Sequence, residues 1–145
     1  MAYLQSVANF FVSELLWTLT GGIYHLPLSV LFMWFFLCFT MRFRVVTALL
    51  SSLFAHTFSV IVYSLLALLL ISMHLATDVL DVEESVIASP EWATIFLALI
   101  HAILQTLFFF VFKRELSLRM FGYTIVAFLS NGFAALVILV LQLYK

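Results

Sequence analysis

Four stretches of this chain, residues 15–41, 45–75, 92–112 and 121–144, contain no Asp, Glu, Lys or Arg. A helix of about 20 apolar residues crosses a hydrocarbon core about 30 Å thick, and each stretch reaches that length. Hydrophobic residues make up 66% of the chain and charged residues 9%, where a soluble domain carries about 25% charged residues. In water such a composition exposes large apolar patches. The expected fold class is therefore all-α: a single polytopic integral membrane helical bundle over residues 1–145, with four transmembrane helices and no soluble domain.

The first 13 residues allow two arrangements. As a fifth span they would hold Asn9 and Glu14 at membrane depth, and an intramembrane Glu is expensive. A short interfacial helix over 1–13 is the expectation, with five spans as the alternative. The opening run MAYLQSVANFF has no Lys or Arg, so it lacks the basic n-region of a cleaved signal peptide.

The connections orient the bundle. Arg42 and Arg44 lie in one short turn, and Lys113, Arg114 and Arg119 lie in another. Together they are five of the six basic residues. The acidic loop over 76–91 separates the two turns and has no base. The positive-inside rule puts the basic turns in the cytoplasm and the acidic loop outside. The C-terminus then also lies outside, in a plasma or inner membrane. Ser89, Pro90 and Glu91 read as an N-cap, an N1 proline and a first-turn acid, so the third helix begins there.

Sliding the sequence by 76 residues lays 13–36 over 89–112 and matches His25 with His101. A slide of 75 lays His56 over Asn131. These matches raise a parallel repeat of two helices plus two, an arrangement that places binding sites between halves.

Depth picks out the same four residues. His56, His101 and Asn131 each lie twelve residues from a basic residue at a cytoplasmic turn, or roughly 18 Å along a helix. His25 is eleven residues in from Glu14 on the opposite side, or about 16 Å. All four fall near the midplane of a core about 30 Å thick. Polar side chains at that depth face the bundle interior and pair with one another. In an up-down-up-down bundle the first and third helices are diagonal, so His25 and His101 face each other across the core. Gly21 and Gly22 lie one turn from His25, and Ala98 lies one turn from His101. Small residues there permit close helix approach. Pro27 removes an interior backbone bond to residue 23 and frees a carbonyl beside His25.

Three roles for the polar layer follow. As interhelical glue it belongs to a small, non-enzymatic multi-pass subunit that packs beside a larger membrane complex. As a ligand site, with His25, His56 and His101 as metal ligands, it belongs to a small transporter or channel component. As a haem b site, with His25 and His101 as axial ligands, it belongs to an electron carrier. The subunit role is the expectation, without a cofactor. Its partners are the bilayer and other membrane subunits or further copies of the chain. The near-zero net charge argues against nucleic acid. The lone Cys38 excludes an internal disulfide framework and any multi-cysteine metal site.

Overall fold

The computed structural model describes residues 24–72, 90–113 and 118–141. These form four helices and no strand: α1 His25–Phe39, α2 Val45–Ser72, α3 Pro90–Lys113 and α4 Leu118–Leu141. Within them, Val45–Leu66, Thr94–Phe112 and Arg119–Leu141 are long and apolar enough to cross a membrane. The expected first span over 15–41 is described only from residue 24 onward, and its helix, α1, has 15 residues. That length reaches only about 22 Å. The expected interfacial segment 1–13 and the loop 76–89 lie outside the described residues. Pro90 opens α3, as the Ser-Pro-Glu run implies.

The helices pack as a closed ring: α1 on α2, α2 on α3, α3 on α4, and α4 back on α1. The diagonals are therefore α1 with α3 and α2 with α4. Ala48, Ser52, Ala55 and Ser59 recur at helical spacing along α2, and all four are buried. Ala98 and Ala102 do the same on α3, and Ala127, Ala134 and Ala135 on α4. Small inward side chains let backbones approach closely, which matters where lipid removes the hydrophobic drive between helices. Large apolar side chains point the other way. Phe54, Ile103, Phe121 and Val140 each expose more than half their surface, Val140 as much as 70%.

One end of the ring is apolar. Met33 and Leu37 of α1, Ala48 of α2, Phe109 of α3 and Tyr123 of α4 are buried there together. The Phe109 and Tyr123 rings stack at 4.6 Å with their planes 9° apart. The α1–α2 turn closes over this end. Arg42 adopts a left-handed conformation with φ 54°, and the Phe43 N–H reaches back to the Leu37 carbonyl at 3.1 Å. Trp34 donates its indole N–H to the Val45 carbonyl at 3.1 Å. The turn rests on the start of α4. Phe43 meets Tyr123 edge to face at 6.0 Å, and a Cβ at Gly122 would stand 2.8 Å from Met41 Sδ. Arg42, Arg44 and Arg119 therefore lie at one end of the molecule.

Candidate functional site

Beyond the apolar end, the interior turns polar. His25, Ser29, Ser52, Ser59, His101, Gln105, Ser130 and Asn131 have no exposed surface, and His56 has 4%. Each of the four helices contributes to this layer. The sequence-derived quartet of His25, His56, His101 and Asn131 lies wholly within it.

Local spacing explains the convergence. His25 and Ser29 are one turn apart on α1, as are His101 and Gln105 on α3. Ser52, His56 and Ser59 follow one another at intervals of four and three on α2. Each set shares a helix face. The depth argument singled out one residue per helix and missed Gln105 and the serines. The i, i+4 companionship of HLPLS and HAILQ was the signal that would have found them.

Hydrogen bonds tie neighbouring helices together in sequence. His56 Nδ1 lies 2.8 Å from the Ser52 carbonyl, so that nitrogen carries the proton and donates it. His56 Nε2 then accepts from the Ser29 hydroxyl at 2.7 Å, joining α2 to α1. The Ser52 hydroxyl adds a second link between these helices, donating to the Val30 carbonyl at 2.8 Å. The Ser59 hydroxyl donates to the His56 carbonyl at 2.9 Å. Its oxygen is thereby left to accept from His101 Nδ1 at 2.9 Å, joining α2 to α3. Asn131 Nδ2 donates to Gln105 Oε1 at 2.6 Å, joining α4 to α3. It also donates to the Ala127 carbonyl at 2.8 Å. The α4–α1 edge is aromatic instead: Phe133 lies 5.8 Å from Phe32 and 5.7 Å from Phe36.

The bonding fixes a tautomer. His101 donates through Nδ1, so its Nε2 is a lone pair when the ring is neutral. That lone pair is buried and has no partner. The same holds for both ring nitrogens of His25, for Gln105 Nε2 and for Asn131 Oδ1. The His25 ring lies 5.8 Å from that of His101, centre to centre and tilted by 31°. The Asn131 backbone faces the His25 ring from α4 and interacts with it. A buried polar group without a partner costs about 1–3 kcal/mol.

The geometry separates the sequence-derived candidates. His25 and His101, the residues matched by the 76-residue slide, come together across the α1–α3 diagonal. His56 is committed through both nitrogens to α1 and its own helix. Among the described residues, no three His, Cys, Asp or Glu side chains gather to hold a metal ion. The expectation for Pro27 is not reached by the described residues. It stands two residues after the described start of α1, and residue 23, whose carbonyl it was expected to free, lies outside the described residues. Gly21 and Gly22 lie outside the described residues. Of the topology determinants, Arg42, Arg44 and Arg119 are exposed at the turn end. Lys113 closes α3 at the same end, and Arg114 lies outside the described residues.

Comparison with protein-family models, curated proteins and solved structures finds no match to this chain.

Proposed function

We propose that the chain is an integral membrane protein with four spans that serves as a small non-enzymatic subunit beside a larger membrane partner. In this proposal the basic turns are cytoplasmic, and the acidic loop and C-terminus are outside. The observation that carries it is a shallow groove of about 240 Å³ on the outer face of α3 and α4. Ala98, Ala102, Gly132 and Ala135 form its floor, with Phe128 and Leu136 on its walls. A Cβ placed on Gly132 would meet nothing within 4 Å. A concave strip of small residues is the surface on which a membrane helix packs closely.

Gly132→Leu tests this directly. The new side chain fills the groove without touching the chain's own core, so thermal stability in detergent stays within about 0.5 kcal/mol. Native-gel mass of the complex extracted in mild detergent is the readout. The expected result is a shift from the larger assembly to the free chain. An unchanged mass would sink the subunit proposal. A transporter or carrier component is the second proposal, and the five unpartnered polar atoms of the layer favour it.

A further inference from the structure

The enclosed layer holds two imidazole lone pairs and no protein donor for either. A neutral imidazole carries one N–H and one lone pair. His101 gives its Nδ1 proton to Ser59, so its buried Nε2 is a lone pair without a partner. His25 has no hydrogen bond at either nitrogen, and the Asn131 backbone interacts with its ring. Inside α4 the Asn131 N–H belongs to the helical ladder, so the carbonyl, with its second lone pair, is the backbone group open to the ring. A His25 proton turned toward that carbonyl leaves the other ring nitrogen as a lone pair.

Both rings have no exposed surface, and their centres lie 5.8 Å apart. A metal ion sits about 2.0–2.1 Å from an imidazole nitrogen, and hence about 3.2 Å from the ring centre. Two imidazoles on one ion then place their centres about 5.2 Å apart at the tetrahedral angle and about 6.4 Å apart in line. The observed spacing falls within that range. Metal-binding histidines also donate the other ring N–H to a fixed acceptor, which sets the tautomer. Ser59 does this for His101, and the Asn131 carbonyl is the group placed to do it for His25.

The surroundings select the ion. α1, α2, α4 and residues 92–112 contain no Asp or Glu. A divalent ion would leave two charges uncompensated at membrane depth, where charge is expensive, and zinc takes four ligands. His56 is not free to join, because both of its nitrogens are bonded. Copper(I) carries a single charge, accepts two ligands and suits imidazole.

We propose that His25 and His101 bind one copper(I) ion across the α1–α3 diagonal, as its two side-chain ligands. Ser59 and the Asn131 backbone are positioning groups. Both rings are enclosed, so the ion enters when the helices part transiently. The four-span proposal enters only through the cost of charge at this depth. Copper binding and the Gly132→Leu assembly assay succeed or fail separately.

The test is transfer of copper(I) from its coloured bicinchoninate complex to the full chain in mild detergent under ascorbate, each point read at equilibrium. Cys38→Ala is in place throughout, because a thiol competes for copper(I). The expected result is about one copper ion per chain, with X-ray absorption showing paired imidazole ligands. His25→Gln and His101→Gln each abolish transfer. Ser59→Ala weakens binding about tenfold or more, as expected when the partner that orients a ligand is lost. Gln105→Leu leaves binding unchanged. Absence of transfer to a helical, monodisperse sample overturns the proposal. So does full binding by either histidine variant, or zinc held as tightly as copper. If both histidine variants fail to fold, X-ray absorption decides: paired imidazole scattering sustains the proposal, and a spectrum without it overturns it.

Discussion

Asn131 and Gln105 offer a sharp test of what the polar layer contributes to stability. Replacing Asn131 with leucine removes the 2.6 Å bond to Gln105. An interhelical bond of this kind in lipid is worth about 0.6–2 kcal/mol. Gln105 Oε1 then loses its partner, at a cost of about 1–3 kcal/mol, but the already unpartnered Asn131 Oδ1 disappears, which returns a similar amount. The net cost of Asn131→Leu is therefore about 1–2 kcal/mol. Gln105→Leu behaves differently. It removes the unpartnered Nε2, and Asn131 Nδ2 keeps the Ala127 carbonyl at 2.8 Å. Its cost is within about 1 kcal/mol of zero. The double variant leaves no polar atom of this pair exposed to an apolar interior, so it is more stable than Asn131→Leu alone. Reversible unfolding in mixed micelles, followed by circular dichroism, gives all four corners of the cycle. A favourable coupling of about 1–3 kcal/mol is expected, because the two residues touch. Strictly additive effects in the double variant would refute a direct bond between them.

Four more variants follow from the same geometry. Ser59→Ala removes the acceptor of the His101 Nδ1 proton, so nitrogen-15 spectra of His101 should change from one tautomer to a mixture. It should also cost about 1–2 kcal/mol in the unfolding assay. Gly122→Ala places a Cβ against the thioether of Met41, whose flexible end yields, so the loss stays below about 1 kcal/mol. Gly122→Leu overfills the same contact and costs about 1–3 kcal/mol in the same assay. Arg42→Gly relieves a left-handed conformation and raises unfolding stability by about 1 kcal/mol. A fall in stability would mean that the arginine side chain itself holds the turn.

Much of this arrangement is written in the uncharged stretches and the distances between charges. Counting from Arg44, Lys113 and Arg119 set His56, His101 and Asn131 at one level, because helical rise is constant. The same reasoning put His25 opposite His101, since a closed ring of consecutive helices makes α1 and α3 diagonal. The choice of hydrogen-bond partner was not legible. Whether His101 bonds Ser59 or His56 depends on side-chain rotation and a few ångströms of helix offset, which residue spacing does not encode. Gln105 escaped notice because a lone glutamine in an apolar run has no counterpart at the same distance from a charge.

The Phe109–Tyr123 stack and the turn resting on Gly122 make the two ends of the ring mechanically unequal. At the turn end, flat rings in full contact and a thioether wedged on a backbone resist shear between helices. At the level of the polar layer the helices are joined instead by single side-chain hydrogen bonds, Ser29 to His56, Ser59 to His101 and Asn131 to Gln105. A bundle held by broad contact at one level and by single bonds at the next parts first at the polar level, with the aromatic stack as its clasp.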